Sequence, residues 1–106
     1  MHRLTISYTA PSDPEAFDAD YRDGHMPLAA KLPGVRRFVL SHPRPLGPGD
    51  APYLLAELWF DDADALKAAR RSPEGAAAAA DAEQLVEKHG VASMTMATGE
   101  VTELPV

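Results

Sequence analysis

The run Tyr53-Leu54-Leu55-Ala56-Glu57-Leu58-Trp59-Phe60 constrains the fold more than any other stretch. Extended backbone sends successive side chains to opposite faces, so Leu54, Ala56, Leu58 and Phe60 share one side and Tyr53, Leu55, Glu57 and Trp59 the other. Both sides carry large apolar groups, and both therefore need cover. Helices of the same chain can cover one. A patch such as Tyr53, Leu55 and Trp59 on the second side is too apolar to leave in water, so a second copy of the chain is expected there.

The flanking sequence supplies the helices and the other strands. Leu4 to Thr9 alternates apolar with hydroxyl residues and predicts a first strand. Asp13 before Pro14 reads as an N-cap with proline at the first helical position, opening a helix on which Phe17 and Tyr21 share a face. Gly24 is expected to close that helix, leaving His25 at a break before Pro27; a further turn then runs from Leu28 to Leu32 and stops at Pro33-Gly34. Val35 to His42 predicts the second strand. Pro43 to Pro52, with four prolines and two glycines, is a loop before the third strand, Tyr53 to Phe60. Asp61 with Asp64 is read as a capping pair for a helix whose Leu66 and Ala69 face inward and whose Arg70 and Arg71 suit its C-terminal dipole. Ser72-Pro73 opens another helix, which passes through Ala76 to Ala80 and ends at Gly90. Small side chains there either let the helix approach the sheet closely or leave space beneath it. Ala92 to Thr98 is the fourth strand, with Met94 and Met96 read as core, and Val101 to Val106 is a tail.

This order predicts an α+β fold: a ferredoxin-like βαββαβ unit with a four-stranded antiparallel sheet, helices on one face, and two copies pairing into a dimeric α/β barrel. Its 106 residues suit a single domain spanning 1–106. The formal charge of -6 argues against nucleic acid as a partner, and Arg36-Arg37 and Arg70-Arg71 read as isolated, solvated pairs. There is no cysteine, so neither disulfides nor thiolate metal sites enter. No apolar run approaches the ~20 residues that span a bilayer, and the N-terminus lacks a signal-peptide pattern; an untargeted, cytoplasmic chain without a membrane partner is the expectation.

Chemistry has to come from side chains, because no glycine-rich dinucleotide loop is present and no cofactor is expected. His25 is the leading candidate, since imidazole takes and gives a proton around neutrality. It needs a carboxylate to fix its tautomer, for which Asp81, Asp20 and Glu57 are available, and Tyr8, Tyr21 and Tyr53 could donate to an enolate or phenolate oxygen. Plainer roles exist for each: His25 bonding a backbone carbonyl, Asp81 as a helix-margin carboxylate, Glu57 in an ion pair, Trp59 as interface packing, His42 and His89 as strand-end and helix-end residues. No metal is expected, because His2, His25, His42 and His89 fall at no ligand spacing.

Phe17 with Tyr21, His25-Met26-Pro27-Leu28-Ala29, Lys31-Leu32-Pro33-Gly34, Val35-Arg36-Arg37, Glu57-Leu58-Trp59-Phe60-Asp61 and Ser72-Pro73-Glu74-Gly75 with Asp81 together resemble the EthD family of the dimeric α/β-barrel superfamily. The His-x-Pro-Leu-Ala run leading into Leu-Pro-Gly is the most specific part. The resemblance implies the ferredoxin-like protomer and the barrel dimer. Its functional implication is broader, since the family's name comes from a protein linked to ether breakdown in an oxidative pathway, and superfamily relatives include isomerases, polyketide cyclases and cofactor-free monooxygenases. The reading that results is cofactor-independent acid-base chemistry on a small hydrophobic or aromatic metabolite bearing a carbonyl or hydroxyl. In it His25 and Asp81 are catalytic, and Tyr8, Tyr21, Glu57 and Trp59 bind substrate. The alternatives are a non-catalytic ligand-binding accessory of an oxidative pathway and a cofactor-free monooxygenase.

Overall fold

A computed structural model describes all 106 residues. The strands are β1 (His2–Tyr8), β2 (Arg37–Ser41), β3 (Leu54–Phe60) and β4 (Met94–Glu100), joined in one antiparallel sheet of order β2-β3-β1-β4. The helices are α1 (Pro14–Asp20), α2 (Met26–Ala29), α3 (Ala63–Arg71) and α4 (Pro73–Lys88), with a π-helical turn at Tyr21–His25 between the first two. Leu4 and Tyr8 of β1 and Leu54, Ala56, Leu58 and Phe60 of β3 are buried on one face of the sheet. The core is divided in two on that face. Leu4, Ala56, Leu58 and Phe60 pack with Leu66 and Ala69 of α3, whereas Tyr8, Phe17, Tyr21, Leu54, Leu85 and Val91 form the other cluster.

The capping residues act as polar chemistry requires. Asp13 accepts from the Ala16 N–H at 3.2 Å, and the Ser72 hydroxyl accepts from the Gly75 N–H at 3.0 Å. For α3 the cap is Asp62, accepting from Ala65 at 2.8 Å, and not Asp61. Asp61 is committed to a two-pronged pair with Arg36, at 3.0 and 2.9 Å. A Cβ on Gly75 would collide with the carbonyl oxygens of Ala69 and Arg70, so glycine allows the tight corner that sets the start of α4 against the end of α3.

The expected helix break at Gly24 is absent. Gly24 is not among the positive-φ glycines, and the chain stays helical through His25, with Met26 N–H bonding the Tyr21 carbonyl five residues back. Proline at 27 has no N–H for an α-helical bond to the Asp23 carbonyl, and its ring would crowd that oxygen. Widening one turn relieves the conflict without ending the helix.

Tyr53 and the β4 methionines also differ from expectation. Tyr53 precedes β3, and its hydroxyl donates to Asp18 at 2.9 Å while its ring meets Phe17 edge-on, so it turns toward the helices instead of joining Leu55 and Trp59. Met94 is half-buried and Met96 is exposed, because β4 is an edge strand exposed along nearly its whole length. His89 is more than a helix-end cation: it is buried, and its Nε2 lies 2.7 Å from Asp20.

Candidate functional site

A cavity of about 690 Å³ lies between the sheet and the helices. Leu4 and Ile6 of β1, Leu58 of β3 and Met94 and Met96 of β4 form its floor, and Ala78, Ala79 and Ala82 of α4 line it from the helix side. The alanine run thus leaves room beneath the helix as well as forming it. Tyr21 and His25, carried by the π turn, close one part of the wall.

His25 is 4% exposed, and its Nδ1 lies 2.9 Å from Asp81 Oδ2 on α4. A carboxylate only accepts, so this bond places the ring proton on Nδ1 and leaves the Nε2 lone pair as a base. Nε2 has no hydrogen-bond partner in the chain and is not sealed from solvent, and the residue lines the cavity. Tyr21 packs against the imidazole with ring centroids 4.9 Å apart, and both residues line the cavity. The site therefore has an oriented base, a carboxylate that can stabilise the imidazolium it would become, and an apolar chamber beside it.

The tyrosines behind the base stay protonated. Burial pushes the Tyr8 phenol up to about 12, helped by the field of the Asp81 carboxylate, and burial followed by the neighbouring Tyr8 oxygen pushes Tyr21 up further. Tyr8 is fully buried, and its hydroxyl has no partner. Leaving such a group unpaired costs about 1–3 kcal/mol. Edge-on contacts of its ring with Phe17 at 5.7 Å and Tyr21 at 5.9 Å offset this, at about 0.5–1.5 kcal/mol each.

An EthD domain model matches residues 10–89, a span that contains both His25 and Asp81. The chain belongs to the EthD family. An uncharacterised 11.0 kDa protein from the thcB-thcC intergenic region of Rhodococcus erythropolis is 40% identical over 107 residues, covering 99% of this chain and all of that one. The crystal structure of an EthD family protein from Bacillus halodurans superposes with a TM-score of 0.84 at 33% identity, covering 96% of this chain and 99% of that one. SnoaB, a cofactor-independent oxygenase from Streptomyces nogalater, shares the fold with a TM-score of 0.69 at 16% identity, covering 97% and 94% of the two chains.

Within this EthD domain the residues singled out from sequence fall into two groups. His25, Asp81 and Tyr21 meet at the cavity, with Tyr8 packed behind Tyr21 and off the cavity wall. Glu57 and Trp59 lie on the opposite face of the sheet. There Glu57 accepts from Arg3 at 3.3 Å, and the Trp59 ring sits between the guanidinium groups of Arg37 at 5.0 Å and Arg3 at 5.9 Å. Asp20 is held by Lys88 and His89 instead of reaching His25. Sequence reading passed over Lys67 and took Arg70 and Arg71 for a solvated pair, yet all three border the cavity. Their only signal was three cations on one short helix, which the helix dipole already explained.

Proposed function

We propose that this EthD protein is a cofactor-independent acid-base catalyst acting on a small cyclic or aromatic carbonyl or hydroxyl compound, with His25 moving the proton. The observation that carries this is the buried His25, oriented by the half-buried Asp81, whose second ring nitrogen is unpaired in a residue that lines an apolar cavity. His25 Nε2 removes a proton from the carbon next to a carbonyl, the electron pair moves onto the carbonyl oxygen, and the imidazolium is stabilised by Asp81. A Tyr21 O–H donated to the enolate oxygen would stabilise it further, and return of the proton from His25 to a different carbon or to oxygen completes an isomerisation. Tyr21 suits that role because its raised pKa keeps it a donor.

The test is exchange of the carbon-bound hydrogens of 2-tetralone with solvent deuterium, followed by NMR. Wild type is expected to exceed His25→Ala by about 100-fold or more. Equal rates would sink the reading, and binding with no exchange would assign the cavity to an accessory role. Oxygen uptake with an electron-rich phenol would favour the chemistry for which SnoaB is named. The same reading includes a cytoplasmic homodimer joined through the sheet face that bears Leu55 and Trp59, both only half-buried in one copy. Trp59→Glu should then lower the sedimentation mass to that of one chain.

A further inference from the structure

We propose that the cavity prefers ligands with a carboxylate at the end away from His25, so that aromatic or cyclic acids bind more tightly than the corresponding neutral compounds. This rests on the cavity being the functional site. Lys67, Arg70 and Arg71 all border it, all three are exposed, and none has a carboxylate within ion-pair distance. In a chain of net charge -6 that is an unusual concentration of unpaired positive charge. The C-terminal dipole of α3 accounts for cations in its last turn, but it requires neither Lys67 a turn earlier nor that all three border one apolar chamber. Glu83, the one carboxylate on the wall, stands on α4 and pairs with none of them, and His2 is the only other histidine there besides His25.

The layout also suggests a length. Arg71 ends α3 and Pro73 starts α4, so Arg70 and Arg71 stand near the beginning of α4. Asp81 lies eight residues on, roughly 12 Å along the helix at ~1.5 Å per residue. A fused two-ring compound with a hydroxyl or carbonyl at one end and a carboxylate at the other matches that span. The planar guanidinium fork of arginine suits a carboxylate better than a point charge does.

The probe pair is 6-hydroxy-2-naphthoate and its methyl ester, which differ only in the charge at the far end. Titration calorimetry on the wild type should show the acid binding at least tenfold more tightly than the ester. Arg70→Gln/Arg71→Gln should remove that preference while leaving ester affinity within about twofold. Lys31→Gln/Arg44→Gln, which removes two exposed cations elsewhere, should keep it. Equal binding of acid and ester by the wild type, or a preference surviving in Arg70→Gln/Arg71→Gln, overturns the proposal while leaving the cavity intact. Binding of neither probe overturns it together with the cavity's role. His25→Ala should retain the acid preference even if its proton chemistry is lost, so the two readings fail separately.

Discussion

The molecule contains two buried histidines that each meet a part-exposed aspartate, and the two pairs sit in different surroundings. His25 meets Asp81 at 2.9 Å and His89 meets Asp20 at 2.7 Å, with the rings 4% and 6% exposed. Asp81 has His25 as its one side-chain partner, and that histidine borders the cavity. Asp20 is shared between His89 and Lys88, the His89 ring stands edge-on to Phe17 at 5.6 Å, and the His89 carbonyl accepts from Ser12 at 2.8 Å. The second pair ties the end of α4 to α1 and to the loop after β1, away from the cavity wall. A close imidazole–carboxylate contact is therefore not a functional signature by itself. What separates the pairs is that His25 lines the cavity and His89 does not.

Removal of each ring should separate the two pairs most strongly. His25→Ala should cut exchange by about 100-fold or more, whereas His89→Ala should leave it within about twofold. Stability should follow the reverse order. His89→Ala removes a buried ring together with its packing on Phe17 and its bond to the part-exposed Asp20, for a loss of about 2–3 kcal/mol, most of it from the ring. Thermal melts would register that as a drop of roughly 8–24 °C, at about 4–8 °C per kcal/mol for a domain of this size. A His89→Ala protein that melts normally would remove the structural half of the contrast.

Changing the carboxylates gives smaller effects. Asp81→Asn can offer Nδ1 its amide in the wrong sense and cannot stabilise an imidazolium, so exchange should fall about tenfold or more, while Asp20→Asn leaves the rate nearly unchanged. Acid denaturation distinguishes them as well. Hydrogen bonds from Lys88 and then His89 hold the Asp20 carboxyl below its usual 3.8. A carboxyl lowered on folding adds stability that is present above the unfolded value and lost as pH falls through the folded one. Urea midpoints between pH 5 and pH 2 should therefore decline more in wild type than in Asp20→Asn.

The smallest effect is on the alkaline side. All three tyrosines are raised, Tyr8 and Tyr53 to about 12 and Tyr21 further, chiefly by burial. A phenol raised on folding contributes stability that is complete below the unfolded value near ~10 and is lost as pH rises toward the folded one. Phenolate absorbance at 295 nm should accordingly lag behind a free tyrosine and appear with unfolding. A normal curve centred near 10 would mean that water reaches these rings freely in the folded protein.

Much of the architecture could be read from the chain alone, because strands and caps are local. Alternation along residues 54 to 60 separates the faces of β3, and Asp13-x-x-Ala16 and Ser72-Pro73-x-Gly75 place helix starts by hydrogen bonds three residues apart. His25 and Asp81 were both visible as candidates. Their meeting was not, since they stand 56 residues apart and only the packing of the π turn against α4 brings them to 2.9 Å. Local signals also misled where two rules competed. Gly24 before Pro27 looks like a helix end, but buried Tyr21 and His25 anchor both sides of the turn, and packing favoured widening over ending.

Residue types and spacing determined the strand–helix order, the absence of thiol chemistry and the short list of proton-transfer groups. Tertiary structure decided that the cavity lies on the helix side of the sheet, that Asp81 and not Asp20 or Glu57 reaches His25, and that Glu57 and Trp59 belong to the far side. The physical reason is range. Backbone hydrogen bonding and side-chain alternation act over a few residues and are written in neighbouring letters. A cavity and the groups that border it depend on which distant elements pack together, and on how little the alanines of α4 fill the space between them.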